Sequence, residues 1–316
     1  MSEIANTAEQ IPLRGDDGQE IYAVRWLPDL STGSAPRGSI VIAHGMGEHI
    51  LRYEPLARAL TEAGYAAYGK DHRGHGRTAD PSSLGDMGED GWNKSITDTR
   101  NMVELARSEQ RQSPCVLLGH SMGAMLGQQF LYRHGYLLDA VVLSGSPGFG
   151  NPLAGLVSLL IAQFERLRLG GSGESALMQK LLFGKSNDAF DGPTATGFEW
   201  LSRDPEQVQH YVDDDFCGFV LRTASLVRLF NGAREAARET NVRTIPKTLP
   251  LYIFSGSDDP VHDDQSNLQR MLEKYRAVGL QPEYKIYPGG RHEMFNETNS
   301  DEVTTDLLDW LARTLD

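Results

Sequence analysis

The sequence predicts an α/β protein: a mostly parallel central sheet, helices on both of its faces, and a helical insertion ahead of the last strands. Three observations carry this reading. Short apolar runs rich in β-branched residues alternate with segments of helical spacing, the signature of parallel strands joined by crossover helices. Residues 148–243 interrupt the alternation with helical patterning and no clear strand. A serine flanked by glycines stands where one apolar run passes directly into a helical one.

The elements follow in order. Residues before Arg14 and Glu20 to Trp26 read as leading antiparallel strands. Ser31 to Gly38 is a loop by composition, and Ser39 to Ala43 is a buried strand that ends at His44-Gly45. Leu51 to Ala63 has helical spacing and stops at Gly64, a C-terminal cap. Tyr65 to Gly69 is a strand and Trp92 to Ser108 a helix, with Ile96, Met102, Val103, Leu105 and Ala106 on its apolar face. Cys115 to Leu118 is a strand, Met122 to His134 a helix and Ala140 to Leu143 a strand. Within the insertion, Pro152 to Leu169, Ser175 to Phe183, Pro205 to Tyr211 and Ala224 to Glu239 read as helices. Alternation resumes with a strand at Leu251 to Ser255, a helix at Asp263 to Val278, a strand at Glu283 to Tyr287 and a helix at Val303 to Leu315. The expected organisation is a core of residues 1–147 and 244–316 with a cap at 148–243.

Composition narrows the functional classes. The 316 residues are 40% hydrophobic and 23% charged, ordinary for a water-soluble domain. A net charge of −13, spread along the chain, disfavours nucleic acid and anionic surfaces as electrostatic partners. The two cysteines, Cys115 and Cys217, show neither metal spacing nor a disulfide framework. MSEIANTAEQ offers no signal peptide, and the most apolar stretch, Pro152 to Phe164, is too short to span a bilayer. A cytoplasmic protein is the expectation.

Gly119-His120-Ser121-Met122-Gly123 matches G-x-S-x-G in the context that motif requires, after an apolar strand and at the start of a helix. Such a turn holds a serine in a strained conformation, so the residues two away must be small. It also sets the hydroxyl at the positive end of a helix, which favours a developing oxyanion. Ser121 is therefore the candidate nucleophile. A serine hydroxyl needs a general base, and the base an orienting carboxylate, in the chain order Ser, acid, His. Of nine histidines, His292 lies just past the last strand, on a loop able to reach Ser121. The acid belongs after Leu251 to Ser255, where Asp258 and Asp259 both stand and chemistry alone does not separate them. Two backbone N–H groups should face the oxyanion. Met122 follows the nucleophile, and Met46 lies in the glycine-rich loop His44-Gly-Met-Gly-Glu-His49. No metal or cofactor is required.

Together these segments resemble the monoacylglycerol lipase and lysophospholipase branch of the α/β-hydrolases. His44-Gly-Met-Gly-Glu-His49 with Arg52-Tyr53 is similar to its oxyanion loop, and Asp71-His-Arg-Gly-His-Gly-Arg77 to its second signature. Gly256-Ser-Asp-Asp259 and Tyr287-Pro-Gly-Gly-Arg-His292 are similar to its acid and histidine segments. The resemblance implies the α/β-hydrolase fold and hydrolysis of carboxylic esters through an acyl-enzyme. It places the acid at Asp259, and gives His44, Asp71 and His75 a bracing role beside the oxyanion loop rather than a metal. Monoacylglycerols and lysophospholipids are the implied substrates, with short-chain esters, proline-releasing peptidase activity or non-catalytic ligand binding as alternatives. In the insertion, Leu153, Leu156, Val157, Leu159, Leu160, Ile161 and Phe164 form an apolar surface broader than one stripe. It suits an acyl chain or transient contact with a membrane or micelle, and equally suits packing on the core.

Overall fold

The structure, a computed structural model, describes residues 7–29 and 35–315. The N-terminal residues 1–6 and residues 31–34 of the expected loop lie outside the described residues. Eight strands form one sheet in the order β1-β2-β4-β3-β5-β6-β7-β8. They are β1 (Glu9–Arg14), β2 (Glu20–Trp26), β3 (Ser39–Ala43), β4 (Ala66–Lys70), β5 (Cys115–His120), β6 (Ala140–Ser144), β7 (Leu251–Gly256) and β8 (Glu283–Tyr287). β2 pairs antiparallel with both β1 and β4, and every later pairing is parallel.

The five-residue run of β3 is buried throughout because the sheet is covered on both faces. Side chains alternate across it: Ile40 and Ile42 enter one core, Val41 and Ala43 the other. β5 repeats this with Val116 and Leu118 against Cys115 and Leu117. Each such Val, Leu or Ile contributes about 1.5–3 kcal/mol by leaving water. The first face carries α1 (Glu54–Glu62) and α10 (Ser300–Leu315), the latter burying Val303, Leu307, Trp310 and Leu311 at helical spacing. The other face carries α2 (Gly91–Glu109), α3 (Met122–His134) and α9 (Ser266–Ala277).

Several boundaries differ from the sequence expectation for local reasons. The helix expected from Leu51 is a 3-10 turn, Ile50–Tyr53, followed by α1, because Pro55 belongs in a first turn, where no N–H is needed. β5 runs on through His120, right up to the serine. The helix expected from Asp263 starts only at Ser266, since Asp263, Asp264 and Gln265 adopt φ of 53°, 46° and 64°.

Between β6 and β7 the described residues form helices and loops only: α4 (Pro152–Leu169), α5 (Ala176–Phe183), α6 (Pro205–Val212), α7 (Thr223–Ala236) and α8 (Glu239–Val242). Asn151 caps α4 by accepting the N–H groups of Leu153 and Ala154. The α4 surface divides: Leu159 and Ala162 are buried, whereas Leu153, Leu160 and Phe164 are 70%, 55% and 61% exposed. Leu159 thus belongs to the core and not to the outer apolar face. No helix among the described residues is long and apolar enough to cross a membrane.

Candidate active site

Ser121 sits between β5 and α3 with φ 52° and ψ −112°, a strained backbone for a residue with a side chain. The turn is tight. A Cβ on Gly119 would lie 2.5 Å from the Gly123 carbonyl oxygen, and one on Gly123 only 1.9 Å from that of Ala43. Glycine at both positions is what lets the strand turn into the helix, and α3 starts at once with its N-terminus at the serine.

β7 and β8 deliver the partners. The Ser121 hydroxyl and His292 Nε2 are 2.9 Å apart, and His292 Nδ1 is 2.9 Å from Asp259 Oδ2. With Nδ1–H donated to the carboxylate, Nε2 is left to accept the hydroxyl proton. Asp259 also accepts from the Ser255 hydroxyl at 2.8 Å and the Val261 N–H at 2.9 Å. Asp258 instead points to solvent and bonds the Ser257 hydroxyl. Burial opposes charge on His292, but the Asp259 carboxylate outweighs it and raises the imidazole above its ordinary value. For Asp259 burial again opposes the charge, and His292 reverses the balance, so the carboxyl is lowered.

The 44–49 loop rests beside Ser121. A Cβ on Gly45 would lie 3.3 Å from Ser121 Cβ. Met46 and Met122 both line the cavity at the serine. Among the described residues neither has its main-chain N–H bonded to a protein acceptor, and Met122 as first helical residue has none to find within its helix.

His44 at the start of this loop and Asp71 and His75 of the 71–77 segment are all buried. His44 Nε2 accepts the His72 N–H at 2.9 Å while its Nδ1–H donates to the Gly45 carbonyl at 2.8 Å. Asp71 accepts the N–H groups of Ile50 and Arg77 at 2.8 and 2.7 Å, joining the two loops. His75 Nδ1 meets the Arg73 carbonyl at 3.0 Å. Burial pushes His44 and His72 well below the ordinary imidazole range, and His75 down to about 4. The three imidazoles are therefore neutral at pH 7. A different set, His49, Asp214 and Cys217, brings one nitrogen, one oxygen and one sulfur within 4.8 Å of one another. There His49 Nε2 and Asp214 bond each other at 2.8 Å, and burial raises the Cys217 thiol, which keeps it protonated.

Sequence reasoning missed a buried charge cluster around the same centre. Arg52 binds Glu293 through both carboxylate oxygens at 2.7 Å and Glu48 at 2.7 Å. Glu48 in turn accepts from the Gly45 N–H and, at 2.8 Å, from the Tyr53 hydroxyl. Burial raises the Glu48 carboxyl; it opposes the Glu293 charge as well, but Arg52 prevails there and holds that carboxyl down to about 2. The adjacency of Glu48 to the glycine loop and of Glu293 to His292 was the available signal.

A cavity of about 670 Å³ opens from Ser121 and His292 beneath α5 and α7. Met125, Leu182, Phe183, Phe198, Trp200, Leu201, Leu229, Phe230 and Val261 supply much of its wall, and Glu48, Tyr211, Glu293, His120, Gln179, Lys180, Ser186 and Asn267 are among its polar groups. Volume and lining are those of a small-molecule pocket. Trp200 lies against the His292 ring at 5.0 Å between centroids. The arrangement is able to transfer a proton from Ser121 to His292.

A family model described as serine aminopeptidase, S33 (Hydrolase_4) matches residues 34–299. The monoacylglycerol lipase of Mycolicibacterium smegmatis is 29% identical over 313 residues, covering 98% of this chain and 99% of that one. A thermostable carboxyl esterase from Bacillus coagulans, solved with glycerol, superposes with a TM-score of 0.87 at 25% identity, covering 98% of this chain and 99% of the esterase. A soluble variant of the Saccharomyces cerevisiae monoglyceride lipase, solved with a substrate analogue, shares the fold with a TM-score of 0.77 at 20% identity, covering 99% and 98% of the two chains.

Proposed function

The chain belongs to the serine aminopeptidase, S33 (Hydrolase_4) family, and from that membership we propose that it hydrolyses carboxylic esters, with monoacylglycerols as its substrates. The observation that carries this reading is the Ser121–His292–Asp259 hydrogen-bonded chain at the head of a mostly apolar cavity. The monoacylglycerol lipase of M. smegmatis, similar over nearly its full length, supports the same choice of substrate.

In this mechanism His292 takes the Ser121 proton as the oxygen attacks the ester carbonyl, and Asp259 stabilises the imidazolium that forms. The Met46 and Met122 N–H groups bind the tetrahedral oxyanion. His292 returns the proton to the leaving alcohol, and water then cleaves the acyl-enzyme by the same steps. His292 must be neutral to act, so kcat/KM is lost as pH falls through its pKa. Because that pKa is raised, the acid limb is expected above the ordinary imidazole value of about 6.5, and Asp259→Asn should move it down. A pH profile of kcat/KM whose acid limb lay below about 6 would contradict a raised His292 imidazole.

The charge cluster favours a glycerol head group over a phosphate. Glu48 bonds the oxyanion loop and Glu293 follows His292, so both carboxyls lie beside the reacting atoms. Arg52, the cation that faces them, is already committed to both. A lysolipid phosphate would meet two carboxyls and no uncommitted cation in this cluster, while Lys180 is a cation of the cavity wall beyond it. The α-amino group of a peptide finds no uncommitted carboxylate in the pair, which supports the ester reading over the aminopeptidase one.

We read residues 148–243 as a cap whose outward apolar face, with Leu153, Leu160 and Phe164 on α4 and Leu177 and Leu181 on α5, touches the lipid surface from which substrate enters. One assay series tests substrate and surface together. kcat/KM is compared for 1-monooleoylglycerol, oleoyl lysophosphatidylcholine and a butyrate ester, and co-sedimentation with phosphatidylcholine vesicles is measured for the intact protein and for Leu160→Ser/Phe164→Ser. Preference for monooleoylglycerol is expected, with vesicle binding reduced in the double variant. Preference for butyrate would sink the lipid substrate; vesicle binding unaffected by the substitutions would remove the cap face as the contact.

A further inference from the structure

The loop that carries Met46 is held from the cap side, and the bonds converge on one atom. The Gly47 carbonyl oxygen accepts the Tyr211 hydroxyl at 2.9 Å and the Gly218 N–H at 3.0 Å. One residue before Met46, the Gly45 N–H is tied to Glu48. At the far end of the loop His49 bonds Asp214 at 2.8 Å. Met46 is thus bracketed by bonded main-chain groups on both sides.

Local geometry shows that this contact is built into the fold. Gly47 has φ 68°, and a Cβ there would lie 2.6 Å from the Phe219 carbonyl oxygen, so the backbone of the 211–219 segment comes within reach only because residue 47 is glycine. The Tyr211 ring is locked: Phe198 lies 5.1 Å from it, and the Arg52 guanidinium stacks over it at 4.8 Å. Arg52 is in turn held by Glu48 and Glu293. Burial keeps the phenol protonated, so its hydroxyl stays a donor.

We propose that Tyr211 is a positioning residue for the reaction: its hydroxyl, through the Gly47 carbonyl, presets the Met46 N–H for the tetrahedral oxygen. The inference rests on the ester-hydrolase reading above. An oxyanion donor is worth about 10²–10³ in kcat when lost outright. Tyr211→Phe leaves the donor in place, with Gly218 still bonded to Gly47, but loosens it, so a part of that effect is expected, about tenfold. The ring and its packing on Arg52 and Phe198 are kept.

The test uses the whole chain. Tyr211→Phe is expected to lower kcat about tenfold with KM changed less than twofold, and to weaken binding of a trifluoromethyl ketone transition-state analogue by the same factor. The acid limb of the pH profile should not move, because the His292–Asp259 pair is untouched. Asp214→Asn, which weakens the His49 anchor, should act in the same direction. A raised KM at constant kcat would mean that Tyr211 contacts substrate, and unchanged kcat and analogue binding would mean that it only packs; either overturns the proposal. Failure of the wild type to turn over any ester would count against the function reading instead. Labelling of Ser121 by a fluorophosphonate would then still report whether Tyr211→Phe slows attack at that serine.

Discussion

Ser121→Ala is expected to lower kcat on any ester by about 10⁴–10⁶, leaving only what the oxyanion donors and substrate binding provide without a nucleophile. The size of the loss follows from the unit the serine belongs to. His292 has no proton to take once the hydroxyl 2.9 Å from its Nε2 is gone, so Asp259 has no imidazolium to stabilise. Removing the serine therefore costs about as much as removing all three members. Alanine also relieves nothing sterically, because the φ of 52° strains any side chain at this turn. The checks are kcat on monooleoylglycerol and covalent labelling by a fluorophosphonate probe. Residual turnover within tenfold of the parent, or labelling that survives the substitution, would place the nucleophile elsewhere.

The second large effect separates two neighbouring aspartates. Asp259→Asn should reduce kcat by about 10⁴, since an amide in that position offers the wrong partner to the Nδ1–H and disfavours the required tautomer. Asp258→Asn should change kcat less than twofold, because that side chain is exposed and bonds only the Ser257 hydroxyl among the described residues. Parallel kinetics of the two variants decide the matter. Equal losses in both, or the larger loss at Asp258, would contradict the observed hydrogen bond between His292 and Asp259.

The contrast between these two residues shows where sequence reasoning reaches and where it stops. Ser121 was legible because its constraint is local: two glycines, a strand before and a helix after lie within a few residues. Asp258 and Asp259 share one turn, and the difference between them arises in space, where the Ser255 hydroxyl, the Val261 N–H and the His292 ring all face Asp259. The sheet was legible for a related reason, since runs such as Ser39 to Ala43 and Cys115 to Leu118 are apolar through their length only if both faces are covered. The start of α9 was not, because three non-glycine residues in succession take positive φ, which no composition rule anticipates. Least legible was the Arg52–Glu293 pair, 241 residues apart in sequence, and the Tyr211–Gly47 bond, 164 apart. No periodicity links such positions; the fold alone brings them together.

The inserted helices leave the sheet after β6 and return at β7, and these two strands are hydrogen-bonded neighbours. The connection is therefore a parallel crossover, from the C-terminal end of β6 to the N-terminal end of β7, and its length can change at a cost that grows only slowly, with no shift of register in the strands beneath it. This divides the chain into regions with unequal room for change. Substitutions and length changes in α4 and α5 remodel the wall that meets the substrate while Ser121, Asp259 and His292 stay where β5, β7 and β8 put them. The stretch from Trp200 to Phe219 has no such licence. Its main chain bonds His292, Glu293 and Gly47, so new substrate ranges have to be explored around it.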